Sequence, residues 1–199
     1  IRYMLLDIVI LPPAKLRNKL GTLAQQLGKT YPARYVVDNK KLIPHVSLYH
    51  FRTGPSRLRN IEQAVKMVLK TTSVFKLSGK MVEYGRYSIG LKVNKPMALL
   101  SLKKAILASC SPLRTGMMPN MFKRKMTKEV KQALKDYGTV GTVLNYHPHI
   151  TLLANFNGKL HHKKWIKISY PIDFYADNVA IAEVNNWYQV TRIIKRFKV

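Results

Sequence analysis

At 199 residues, 47% of them hydrophobic, the chain is long enough to bury a core and too apolar to be disordered, so one domain or two small lobes sharing a core is expected. A single cysteine, Cys110, excludes an internal disulfide, no Cys/His cluster has zinc-finger spacing, and no segment is long and apolar enough to span a bilayer. Thirty-five Lys and Arg against nine Asp and Glu leave a formal net charge of +26, which points to a polyanionic partner, nucleic acid before an anionic membrane surface or a large ribonucleoprotein.

In chain order, IRYMLLDIVILPP is an apolar run interrupted by Asp7 and reads as a buried first strand rather than a signal peptide. Leu16, Leu20, Leu23 and Leu27 then fall at helical spacing, and Gly28 reads as the stop of that helix. Residues 31–41 read as a loop leading into the strand PHVSLYHF. Leu58, Ile61, Val65, Val68 and Leu69 mark one face of a second helix. Two alternating runs, FKLSGKMVEY and RYSIGLKV, suggest a hairpin turning near Gly85. Residues 96–111 read as a third helix with proline at its start, and MTKEVKQALKDYG as a short helix closed by Gly138. The strand NYHPHITLLANF follows, and the remainder reads as strands with Asn185-Asn186 at a turn. The order suggests an internal duplication, with approximate halves 1–95 and 96–199 in a single domain.

Each half carries one copy of a short motif, PHVSL at 44–48 and PHITL at 148–152. In a regular strand, residues two apart share a face. His45 therefore projects with Ser47, and His149 with Thr151, while Val46, Leu48, Ile150 and Leu152 point into the core. If the two strands face one cleft, it holds two imidazoles and two hydroxyls. That set suits phosphodiester chemistry without a metal. One neutral imidazole accepts a proton, the other, protonated, donates one to the leaving oxygen, and the hydroxyls donate to the phosphate oxygens as charge builds.

The paired H-x-[ST]-hydrophobic motifs resemble the signature of the 2H phosphoesterase superfamily, in its LigT-like or 2′-5′ RNA ligase branch. MLLDIVILPP resembles that family's opening strand and double-proline turn, and FKLSGKMVEYGRYSIGLKV its hairpin between the motifs. Region 112–146 is the least typical part. The resemblance implies an α+β fold of two pseudo-symmetric antiparallel-sheet lobes, flanked by helices, with a central cleft. It implies metal-independent opening of RNA 2′,3′-cyclic phosphate ends, or cleavage of 2′-5′ phosphodiesters, with no cofactor. By that resemblance His45 donates the proton, His149 accepts it, and Ser47 and Thr151 bind phosphate. The implied partner is RNA or an oligonucleotide carrying such a linkage, and a cytoplasmic monomer is the expectation. A non-catalytic RNA-binding subunit and a phosphodiesterase for small cyclic nucleotides are the competing readings.

Further candidates for substrate contact are Tyr49, on the face of His45 and Ser47 by strict alternation, Tyr84, Arg86 and Tyr87 at the hairpin, and Lys123 and Arg124 within the basic stretch 122–131. Arg114 is an alternative for steering substrate, and the loop of Lys159, His161, His162, Lys163 and Lys164 an alternative RNA contact. His147 reads as an edge histidine, and His50, by the same alternation, as a structural residue on the opposite face.

Overall fold

The computed structural model describes residues 3–31, 33–84, 88–119, 126–154 and 169–199. Nine strands and four helices are present among them: β1 (Met4–Ile10), α1 (Ala14–Thr30), β2 (Tyr35–Val36), β3 (Val46–Thr53), α2 (Leu58–Leu69), β4 (Lys76–Tyr84), β5 (Ser88–Lys92), α3 (Met97–Cys110), α4 (Lys128–Tyr137), β6 (His149–Ala154), β7 (Ser169–Tyr175), β8 (Asn178–Val184) and β9 (Val190–Lys198). The strands form two antiparallel sheets, ordered β3-β1-β8-β9 and β2-β6-β5-β4-β7. The first motif strand is β3 and the second is β6, so each sheet carries one motif.

One continuous core joins the sheets. Leu6, Ile8 and Ile10 of β1 meet Tyr49 and Phe51 of β3, the apolar stripes of α1, α2 and α3, and Ile89, Leu91, Ile150 and Leu152 of the second sheet. Each such side chain contributes about 1.5–3 kcal/mol when fully buried. Helix α1 packs on β2 and β6, whereas α2 and α3 pack on the first sheet through β9 and β3. The two halves of the chain are interleaved: the first sheet takes β8 and β9 from the end of the chain, and the second takes β2, β4 and β5 from the beginning. A division at 95/96 does not separate the sheets.

The opposite face of the first sheet is also covered. Leu5 and Val9 of β1, with Ala180, Ala182 and Val184 of β8, pack against Met118, Leu134 and Val140. The stretch that looks least typical in sequence therefore supplies the second layer over β1 and β8. Within it α4 begins at Thr127, whose side chain accepts from the Val130 amide, and ends at Gly138, left-handed with φ 69°.

Two sequence expectations are corrected. Helix α1 continues past Gly28 to Thr30, because this glycine is a packing site rather than a stop: a Cβ there would lie 3.3 Å from Val36 Cγ2, so its absence lets α1 settle against β2. The expected loop at 31–41 contains β2, whose Tyr35 and Val36 pair with Ala154 and Leu153 at the end of the second motif strand.

Candidate active site

The two motifs repeat in three dimensions as well as in sequence. In the first, Ser47 pairs with Val9 of β1 and the next pair is Tyr49 with Ile8, so Leu48 is bulged out of register. In the second, Thr151 pairs with Gly90 of β5 and the next pair is Leu153 with Ile89, so Leu152 is bulged in the same place. Such bulges turn the strand locally and re-aim the side chains beside them. Both histidines are also anchored alike. His45 Nδ1 lies 2.7 Å from the carbonyl oxygen of Ile43, and His149 Nδ1 lies 2.8 Å from that of His147. A carbonyl only accepts, so Nδ1 carries the proton in each ring and Nε2 is left to exchange a proton with a substrate.

The two strands are held together from below. Tyr146, three residues before His149, donates its hydroxyl to the main-chain oxygen of Ser47 at 2.8 Å. Lys95 Nζ in turn donates to the Tyr146 carbonyl at 3.0 Å. Beside His149 a cleft of about 270 Å³ is lined by Ser88, Lys92, Asn94, Lys95 and His147. A larger hollow of about 540 Å³, between the start of α1 and β7, includes Lys15, Lys19 and Asp173 but no motif residue. Of the motif side chains His45, Ser47, His149 and Thr151, His149 lines the smaller cleft and none lines the larger hollow.

The environments of the imidazoles differ. His149 is exposed, whereas His45 is 6% exposed. Burial lowers the pKa of His45, opposed by the nearby Asp7 carboxylate and by the hydrogen bond to Ile43, and the positive charges of His50 and His149 reinforce the lowering. Asp7 itself is 0% exposed. Its Oδ2 sits 3.0 Å from His50 Nε2 and 3.7 Å from His45 Nε2, a close ionic contact rather than an aligned hydrogen bond. His50 Nε2 is also 3.4 Å from Ser47 Oγ, at the outer limit of a hydrogen bond.

No family model matches the sequence, and no curated protein matches it either. Solved structures do. TT0787 of Thermus thermophilus superposes with a TM-score of 0.67 at 14% identity, covering 98% of this chain and 97% of its own. E. coli LigT complexed with 3′-AMP gives 0.62 at 15% identity, over 100% of this chain and 99% of its own. The MHV ns2 PDE domain gives 0.51 at 14% identity, over the full length of both.

The chain has the LigT-like fold.

Within that fold, two sequence-predicted orientations are overturned, those of Tyr49 and His50, and two residues are gained, Asp7 and Tyr146. Tyr49 is fully buried; its ring stacks on Phe51 at 4.9 Å and its hydroxyl donates to the Tyr137 carbonyl at 2.7 Å. It belongs to the core face, away from Ser47. The cause is the bulge at Leu48, which reverses the alternation for every later residue of β3. The same reversal brings His50 onto the face of Ser47 and directly opposite Asp7 across the strand pair. Asp7 was visible in sequence only as a charge inside an apolar strand; its partners lie some forty positions away, and no local pattern names them. Tyr146 likewise gave no signal in sequence.

The remaining candidates fall elsewhere. Arg114 donates to the carbonyls of Lys135, Asp136 and Gly116, closing the segment before α4 onto the end of that helix. Arg86, Tyr87, Lys123, Arg124 and the loop containing His161 and His162 lie outside the described residues. Tyr84 closes β4 in register with Ile89. His147 lines the cleft and lends its carbonyl to His149. Among the described residues no three potential ligands gather around a metal position, and no helix is long and apolar enough to cross a membrane.

Proposed function

We propose that this protein is a phosphodiesterase of the 2H type that opens 2′,3′-cyclic phosphates at RNA ends. The observation that carries the reading is the matched anchoring of His45 and His149, each with Nδ1 on the carbonyl two residues back and each two residues before a hydroxyl residue. A water molecule attacks phosphorus and gives its proton to His149 Nε2. As the bond between phosphorus and O3′ breaks, His45 Nε2–H protonates O3′, leaving a 2′-phosphate. Proton exchange with solvent resets the pair. Ser47 and Thr151 donate to the non-bridging oxygens, whose charge grows in the transition state.

Two further observations support the substrate class. E. coli LigT has been solved with NADP+, 3′-AMP, ATP and phosphate, and a viral relative of the fold is named a PDE domain. The net charge of +26 favours an oligonucleotide over a free nucleotide, because several phosphates then release counterions on binding.

The test is a short RNA ending in a 2′,3′-cyclic phosphate, followed by phosphorus NMR. The expected product is a 2′-phosphomonoester, formed at an undiminished rate in excess EDTA, with KM rising steeply as salt increases. Tight binding without turnover would instead assign a non-catalytic RNA-binding role. Turnover of a cyclic mononucleotide as fast as RNA, with no salt dependence, would move the substrate to small nucleotides.

A further inference from the structure

The two halves of the site are alike up to one point. Immediately beyond the bulge in the first motif, β3 and β1 place His50 opposite Asp7. At the matching position beyond the second bulge, β6 and β5 place Ala154 opposite Ser88. A buried carboxylate facing an imidazole in one half thus corresponds to a hydroxyl facing a methyl group in the other. The reaction needs the same asymmetry, since one imidazole must begin protonated and the other neutral.

We propose that the buried Asp7–His50 pair selects His45 as the proton donor, with Asp7 a positioning residue that holds the proton on His45 Nε2. The proposal rests on the proposed proton roles of His45 and His149. An ionised carboxylate with 0% exposure has no solvent to stabilise it and favours positive charge on its neighbours. Neither of its oxygens has a hydrogen-bond partner among the described residues, and Oδ2 lies within 3.7 Å of both imidazoles. Asp7 opposes the lowering that burial imposes on His45, and a neutral imidazole with Nδ1 donating to Ile43 has no proton on Nε2 to give. His50 makes the closest contact. Its Nε2 lies nearer to Asp7 Oδ2, at 3.0 Å, than to Ser47 Oγ, at 3.4 Å.

Among the described residues, few other groups act on this cluster. Beside Asp7 on β8 stands Ala182. His149 of β6 is near enough for its charge to act on His45. The Tyr146 phenol approaches from the loop before β6, and burial, then Asp7, push its pKa up, so it stays uncharged. Lys103 of α3 is behind that ring, its Nζ 4.8 Å from the centroid. Tyr188 packs on His50 with ring centroids 5.2 Å apart.

The experiment is a nitrogen-15 NMR titration of the imidazoles in the full chain, alongside the pH profile of cyclic-phosphate opening. Asp7→Asn is the first variant. Asp7→Ser/His50→Ala is the second; it copies the Ser88/Ala154 pair, removes both partners together and leaves neither buried group orphaned. In each, the His45 midpoint should fall by about one pH unit or more, with a much smaller change at His149. The fraction of protonated His45 is then lost at lower pH, so the alkaline limb of kcat moves down by the same interval while KM holds. A His45 midpoint that stays or rises in both variants would overturn the proposal. A midpoint that falls in a protein whose wild type does not turn over the substrate would uphold the coupling of Asp7 to His45 and overturn the functional reading instead.

Discussion

His149→Ala should lower kcat for cyclic-phosphate opening by about 10³-fold, because a positioned general base contributes on the order of 10²–10⁴. His149 is exposed and its only intramolecular hydrogen bond described is to the carbonyl of His147, so its loss leaves no buried group without a partner. Stability should hardly change. His45→Ala should cost a similar factor in kcat but behave differently in folding, since it removes one of two imidazoles facing the buried Asp7. A leftover buried carboxylate is destabilising. Steady-state kinetics combined with urea denaturation separates the two effects: equal losses of rate, with an unequal loss of stability that falls on His45→Ala. Binding of RNA, the proposed substrate, should persist in both variants, because neither substitution touches the excess of lysine and arginine. Full activity in either variant would remove that imidazole from the mechanism.

Ser47→Ala and Thr151→Ala should each lower kcat by about 10²-fold, the scale for removing one donor to an oxygen that gains charge in the transition state. KM should move much less, because the ground-state phosphate already has solvent and lysines to neutralise it. The main-chain oxygen of Ser47, which accepts from Tyr146, is untouched by the first substitution, so the joint between the motifs survives. The double variant should lose less than the product of the single losses, since both hydroxyls act on one phosphate. A rise in KM at constant kcat for either single variant would make that hydroxyl a binding group without a role in the transition state.

Much of this arrangement can be read from the chain because its signals are local. Leu16, Leu20, Leu23 and Leu27 repeat at the pitch of a helix, and α1 follows them. The motif itself is local, so His45, Ser47, His149 and Thr151 can be named without a structure. What stays hidden depends on pairing between distant segments. The bulges at Leu48 and Leu152 arise from how β3 meets β1 and how β6 meets β5, and nothing within PHVSLYHF shows where alternation reverses. Tyr49 and His50 consequently exchange faces relative to the simple reading. Strand β2 is two residues long, too short to display a period. The interleaving of the sheets is a matter of topology, invisible to any window of sequence. Asp7 lies between these cases: its charge within an apolar strand marks it as unusual, while His50 opposite gives it a purpose.

The most direct measurement is a crystal structure with a nucleoside 2′-monophosphate, the product expected of cyclic-phosphate opening. One phosphate should lie between the motifs, with oxygens about 3 Å from Nε2 of both His45 and His149 and from the hydroxyls of Ser47 and Thr151. A phosphate bound in the hollow beside Lys15 and Lys19, or one touching a single imidazole while the other stays beyond reach, would contradict a shared two-histidine site.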